Sequence, residues 1–358
     1  MPTFDKDAGS KTTFQYIKMF IAKGFCVKFV GDNYARTEME PYMSILLQMG
    51  VEVLYGVWYS NNIFTYIKQN EKYIDFVYLN RPHITAKYID FIRNETDIKI
   101  LYYGHDLHFF RIQREYELTG NTKLLPDIEN NRNAEFSIMR KANVVYYPSR
   151  LEEKVIREID SSIHVKAIHA YIFDTDSLTV QYKSRERSGI LFVGGFSHTP
   201  NVDAVKWFTQ EIFPKTRAKN PGIDFYIAGS NAPDEIKELD GNGIIFNGFV
   251  TEAELARLYA SCRIVVVPLR YGAGVKGKVV EALYNGVPIV TTDIGAEGIE
   301  GIEEIAAIHN EAEAFADAVL RLYDDGDRLG EMSRKSIEFI KEHFSMEAAW
   351  NIIREDFA

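Results

Sequence analysis

Val265-Val266-Val267-Pro268-Leu269-Arg270-Tyr271-Gly272-Ala273-Gly274-Val275-Lys276-Gly277-Lys278-Val279-Val280-Glu281-Ala282-Leu283 reads as a buried strand, then a loop, then the opening turns of a helix. The loop carries three glycines and two lysines. Exposed backbone N–H groups, a helix N-terminus and two cations converging on one spot suit a phosphate. Glu281 lies one turn further in, where an anion site would not want a carboxylate. An acid there makes sense as an acceptor of hydrogen bonds from neutral hydroxyls, such as those of a ribose attached to that phosphate. Val279, Val280, Ala282 and Leu283 around it are apolar, so the helix is expected to be largely buried and Glu281 to need a partner.

Outward from this stretch, short apolar runs alternate with amphipathic segments almost throughout, the pattern of helices packed on parallel sheets. Strands are expected at 27–30, 51–54, 76–79, 100–103, 144–147 and 165–168, with helical periodicity at 12–22, 42–49, 85–93 and 135–141. The pattern lapses over 173–188, a polar stretch that includes Lys183-Ser184-Arg185-Glu186-Arg187 and reads as an interdomain linker. It restarts with strands at 190–193, 224–228, 244–246, 264–268, 288–292 and 306–308. Thr251-Glu252-Ala253-Glu254 is a capping-box signature. Two successive doubly wound α/β domains follow, as 358 residues exceed one ordinary core. Such sheets bind ligands at the carboxyl ends of their strands, where the opening loop lies.

Composition narrows the function. A net charge of -10 argues against broad nucleic-acid binding. No apolar run approaches the length of a membrane span, and no segment resembles a signal peptide. Cys26 and Cys262 read as buried free thiols of a reducing compartment. A cytoplasmic protein is the expectation, with peripheral attachment to the membrane face left open. The start, through Gly9-Ser10, reads as a strand-to-helix loop with Ser10 as N-cap and no strand before it. A chain cut from a longer, multidomain polypeptide, or trimmed at its first strand, is therefore expected.

Other residues stand where chemistry is expected. Gly194 and Gly195 follow the strand at 190–193 and permit a tight turn or close backbone approach to a ligand. Leu101-Tyr102-Tyr103-Gly104-His105-Asp106-Leu107-His108 sets two histidines and an acid just after a strand. A third firm ligand is lacking, which disfavours a metal. His105 is the candidate for a substrate contact, with Asp106 orienting it or capping the next helix. The Gly9-Ser10 turn holds the equivalent position after the absent strand.

Taken together these residues resemble the family 4 glycosyltransferases of the GT-B fold, in the branch with a glycine/lysine loop. The second half carries the likeness best. Phe192-Val193-Gly194-Gly195-Phe196 with Pro200-Asn201 and Phe213-Pro214 resembles the opening of the donor domain. Gly272 to Glu281, continuing through Ala282-Leu283-Tyr284-Asn285-Gly286-Val287-Pro288, resembles the donor-nucleotide motif. Asp293-Ile294-Gly295-Ala296-Glu297-Gly298 resembles the loop near the donor sugar, and Gly104-His105-Asp106-Leu107 the segment whose histidine reaches that sugar.

The resemblance implies two Rossmann-like domains facing a cleft: 1–172 on the acceptor side, a linker at 173–188, a donor domain at 189–340, and a helix at 341–358 crossing back to the first domain. It implies transfer of a sugar from a nucleoside-diphosphate sugar to a carbohydrate, lipid-linked or protein acceptor, with retention of configuration and no dedicated metal or cofactor. His105, Lys276 and Glu281 would be catalytic, for the sugar, the diphosphate and the ribose respectively. Gly9, Gly194, Gly195, Arg270, Gly274, Gly277, Lys278 and Glu297 would complete the donor site. Ala273 stands where many members have the first of two glutamates eight positions apart, so part of its contact is expected to pass to Glu297. Ser197 and His198 stand where an arginine and a lysine often occur, which shifts diphosphate binding onto Lys276, Lys278 and Arg270. A nucleotide-sugar epimerase on the same plan, and a non-catalytic nucleotide-sugar-binding module of a larger protein, are the competing readings.

Overall fold

The computed structural model describes residues 1–32, 34, 40–175, 178–179 and 182–357. They form two units: Met1–Phe110, Lys123–Ile172 and Met346–Ala358 in the first, Arg111–Thr122 and Phe173–Ser345 in the second.

The first unit holds β1 (Lys28–Val30), β2 (Glu52–Leu54), β3 (Phe76–Asn80), β4 (Lys99–Tyr103), β5 (Val144–Tyr147) and β6 (Val165–Ala167). β3 to β6 pair in chain order as one parallel sheet, and β1 pairs with β2 alone. Alternation of side chains puts successive residues of a strand on opposite faces, and both faces here are covered. Ile100, Tyr102, Val145 and Tyr147 pack with Ile89, Ile92, Phe136 and Met139 from two helices. Leu101, Tyr103, Val144 and Tyr146 pack instead with Tyr16, Met19, Phe20, Ala349 and Ile353. Ala349 and Ile353 belong to the helix Met346–Ile353, so the chain's last segment is part of the first unit's core. The Tyr146 hydroxyl donates to Asp356 Oδ2 at 2.8 Å, and Lys166 Nζ donates to Asp356 Oδ1 at 2.7 Å.

The second unit holds β7 (Ile190–Val193), β8 (Phe225–Ala228), β9 (Ile244–Gly248), β10 (Ile264–Val267), β11 (Ile289–Thr291) and β12 (Ala306–Ile308) in one parallel sheet of order β12-β11-β10-β7-β8-β9. The order runs outward in both directions from the β7–β10 pair, which is a doubly wound sheet with its topological switch point there. All four residues of β10 are fully buried, as an apolar run in a sheet covered on both faces should be. The capping box at Thr251 and Glu254 forms, with both reciprocal hydrogen bonds present.

Some expectations change. The first helix runs Ala8–Ala22 and is capped by Asp7, whose carboxylate accepts from Ser10 N at 2.9 Å; Ser10 lies inside the first turn. The strong acceptor two residues before Gly9 is what moves the start upstream. The expected linker at 173–188 lies partly outside the described residues, at 176, 177, 180 and 181. The rest of it packs on the second unit: Phe173 stacks on Tyr284 and Arg187 donates to Tyr259 O at 2.6 Å. The passage to the crossing helix falls after Ser345, not at 341, because Gly326–His343 is one continuous helix. Residues 111–122 group with the second unit, not the first. Cys262 is buried, but Cys26 is exposed. Among the described residues no helix is long and apolar enough to cross a membrane.

Candidate functional site

The loops after β7 and β10 flank the switch point of the second sheet, so neighbouring strands deliver the Gly194-Gly195 turn and the Gly272–Lys278 loop to the same edge. Gly194 is needed for close approach: a Cβ there would lie 2.7 Å from Lys278 Nζ and 2.9 Å from the Asn201 side chain. Lys278 Nζ donates to Asn201 Oδ1 and sits 4.4 Å from the Phe192 ring centroid, while Asn201 Nδ2 donates to Gly195 O at 2.6 Å. One lysine thus ties the two loops. Desolvation lowers its pKa to about 7, Lys276 pushes the same way and Glu281 opposes both.

In the β10 loop, Gly272 at φ +145° and Gly274 at φ +70° adopt conformations that favour glycine. Lys276 occupies the N-cap of the helix Gly277–Tyr284 and is only 9% exposed. Its Nζ donates to Gly274 O and lies 3.8 Å from Glu297 Oε1. Glu297 follows the short helix Asp293–Ala296, which Thr292 caps while donating to Leu269 O. That hydroxyl fixes the β11 loop to the β10 loop. Glu281 is half-buried beside Tyr259, whose phenol is held well above its ordinary pKa by burial and then by this carboxylate. Arg270 forms a two-point ion pair with Asp203, with Nε to Oδ2 at 2.9 Å, and lies over the Trp207 ring.

In the first unit, Gly9 and His105 come together as their equivalent positions suggest. A Cβ on Gly9 would lie 3.4 Å from His105 Nδ1 and 2.7 Å from the Arg81 guanidinium, which pairs with Asp7 at 3.0 Å. His105 has φ +68° and its ring lies 4.4 Å from that of Tyr103. Burial, and then the charge of Arg81, lower its pKa to about 3, so the imidazole is neutral at physiological pH. Its Nε2 is buried and accepts or donates no hydrogen bond among the described residues. Asp106 pairs with His108 at 3.2 Å. Two buried glutamates also hold the start of the next helix. Glu152 accepts from Leu107 N at 3.0 Å, and Glu135 accepts from His108 N at 2.9 Å and Phe109 N at 3.3 Å. Burial nevertheless raises Glu135 to about 7. Among the described residues no three His, Cys, Asp or Glu side chains gather as metal ligands do.

The expected residues therefore fall into small groups. Gly194, Gly195 and Lys278 meet through Asn201; Gly274, Lys276 and Glu297 meet at the β10 loop, with Gly277 opening the helix behind them; Glu281 meets Tyr259; Gly9 and His105 meet beside Arg81. Arg270 is turned to Asp203. No sequence feature pointed to Arg114, which reaches this loop from 158 residues away, donating to Gly272 O at 2.7 Å and to Glu297 Oε2. Arg81, Glu135 and Glu152 were equally silent, since a polar residue on a helical face or after a strand has no periodic signature of a tertiary partner.

The architecture is the GT-B class, two Rossmann-like units. Similar solved structures include sucrose-phosphate synthase from Thermosynechococcus elongatus, at 15% identity and TM-score 0.74 over 99% of this chain and 95% of that one. HepE from Anabaena in complex with UDP-glucose has 15% identity and TM-score 0.68 over 99% and 96%. TarM from S. aureus, in a complex that includes UDP, has 17% identity and TM-score 0.64 over 82% and 58%. The family described as "Glycosyl transferases group 1" matches residues 187–325, within the second unit. A curated relative, the "Uncharacterized 44.6 kDa protein in cps region" of Klebsiella pneumoniae, is 27% identical over 199 residues. The match covers 53% of this chain, and the chain spans about half the length of that relative, 49%.

Proposed function

We propose that this protein is a glycosyltransferase that takes a sugar from a nucleoside-diphosphate sugar and transfers it, with retention of configuration, to a carbohydrate, lipid-linked or protein acceptor. The observation that carries the reading is the pair of glycine loops at the β7–β10 switch point with Lys276, Lys278, Glu281 and Glu297 around them. Open α/β sheets bind their ligands at this place. The group 1 glycosyltransferase match spans the same loops. UDP in the HepE and TarM complexes supports a nucleotide donor.

In this reading the glycine loop and Lys276 hold the diphosphate, Lys278 supports the turn beneath it, and Glu281 accepts from the ribose hydroxyls. As the sugar leaves, negative charge grows on the diphosphate, and fixed cations stabilise that change more than the ground state. Glu297 Oε1, a buried acceptor that no donor satisfies among the described residues, takes a hydroxyl of the sugar. His105 also serves the sugar. A neutral imidazole with a free Nε2 suits a hydroxyl better than a phosphate, which would call for a cation. Arg270 enters the site only by giving up Asp203. No dedicated metal or cofactor is part of the scheme.

A thermal-shift screen against UDP-, GDP-, ADP- and dTDP-sugars tests the donor without needing an acceptor, because a ligand that binds only the folded state raises the melting temperature. One nucleotide class is expected to stabilise the protein, and Glu281→Ala to abolish the shift. No stabilisation by any of them would remove the donor site. Tight binding of a diphosphate with neither hydrolysis nor transfer of any sugar would make the protein a binding module.

A further inference from the structure

Arg114 sits on the helix His108–Thr119 and, with its flanking residues, belongs to the second unit. Its Nη1 donates both to Gly272 O, in the β10 loop, and to Glu297 Oε2, after the β11 helix. The side chains of Arg114 and Glu297 are 18% and 9% exposed, so water screens this pair little. The other oxygen, Glu297 Oε1, is buried without a hydrogen bond among the described residues and lies 3.8 Å from Lys276 Nζ. That spacing is an ion pair short of contact. The Lys276 amino group donates to Gly274 O instead. Glu297 is thus shared by two cations, and Arg114 has the closer hold.

Were Arg114 absent, the nearest compensating charge for a 9%-exposed carboxylate would be Lys276. A buried carboxylate left with one partner closes on it, because an unpaired buried charge is costly. The lysine would then be neutralised by its own protein. We propose that Arg114 is a positioning residue: by holding Glu297 and the Gly272 carbonyl, it keeps Lys276 available to a diphosphate and keeps Glu297 Oε1 turned to the ligand. The proposal rests on the donor-site reading above. It adds a requirement that the reading lacks, namely that the competing carboxylate be restrained from a distant helix.

Calorimetric titration with UDP, GDP, ADP and dTDP tests it. The wild-type protein is expected to bind at least one of them, and that one is then the probe. Arg114→Ala should weaken its binding about tenfold, the scale of one charge-assisted contact. Adding Glu297→Gln in the same chain should restore affinity to within about threefold of wild type, since the competing charge is gone. Arg114→Lys, which keeps a cation beside Glu297, should also stay within about threefold. A merely structural role for Arg114 gives no such rescue. Unchanged affinity in Arg114→Ala, or a loss that Glu297→Gln leaves in place, overturns the positioning role while the donor site stands. Should Arg114→Ala not fold, Arg114→Gln with and without Glu297→Gln makes the same comparison. If the wild-type protein binds none of the four diphosphates, the donor site itself fails and Arg114 loses the role with it.

Discussion

At the scale of single residues, Lys278 and His105 show how burial sets chemistry. Lys278 titrates near 7 in the folded protein, against about 10.4 for an unperturbed lysine in the unfolded chain. Between those values the unfolded chain binds more protons, so stability rises with pH across that window, and below pH 7 the full cost of burying the cation is paid. Lys278→Met should therefore stabilise the protein more at pH 6 than at pH 9, as measured by denaturant unfolding at both. A gain that is equal at the two pH values would show that Lys278 is not desolvated. A diphosphate bound over the turn that Lys278 supports should favour its protonated form through its negative charge, so binding at pH 8 should take up a proton, seen as a dependence of the calorimetric heat on buffer ionisation. His105 shifts the same way and stays neutral down to about pH 3. Its unfolded counterpart charges below about 6.5, so this residue lowers stability as pH falls from 6.5 to 3. His105→Ala should lose turnover while nucleotide affinity is retained, the pattern of a contact made on the sugar side. Reduced nucleotide affinity with normal turnover would move His105 out of that role.

At the scale of elements, the β7 turn and the β10 loop behave as one device, because Lys278 and Asn201 link them and Gly194 leaves the space they use. Gly194→Ala should push Lys278 and Asn201 apart and weaken diphosphate binding without unfolding the sheet. Calorimetry with a circular-dichroism control checks this, and unchanged affinity would separate the two loops. These loops were legible in the sequence. Among the described residues every strand was visible as an apolar run bounded by turn residues, and the three glycines marked the loop after β10; its positive φ angles were not foreseen. The first helix was legible in its body but not at its start, since a side-chain cap from Asp7 is a local choice that Ser10 could equally have made. Lys278 was expected with Lys276 and Arg270 at the diphosphate; its bond to Asn201 Oδ1 is a partner that nothing in Lys276-Gly277-Lys278 announces. Arg114 and the glutamates that cap the helix at His108 were illegible for a deeper reason. Their partners lie between 26 and 183 residues away, and sequence periodicity reports only contacts within an element.

At the scale of the whole molecule, the last segment belongs to the first unit's core. Ala349 and Ile353 are fully buried there, and Asp356 accepts from Tyr146 and Lys166. Asp356→Ala would remove the acceptor of the buried Tyr146 hydroxyl and the partner of Lys166, and should destabilise the protein by about 1–3 kcal/mol. Urea unfolding measures this, and a change below about 0.5 kcal/mol, the range of ordinary surface substitutions, would show the segment to be peripheral. Two doubly wound units account for the GT-B class, but the fold alone hosts many activities. The proposed glycosyl transfer rests on the loop after β10 and the charges around it. The most direct test is release of nucleoside diphosphate from the nucleotide sugar that most stabilises the protein, followed for wild type and Glu281→Ala. The wild-type protein should release it, and the variant at least about tenfold more slowly, since hydrogen bonds to a charged group contribute about 1.5–3 kcal/mol each. Equal rates in the two proteins, or no release from any nucleotide sugar, would contradict the account.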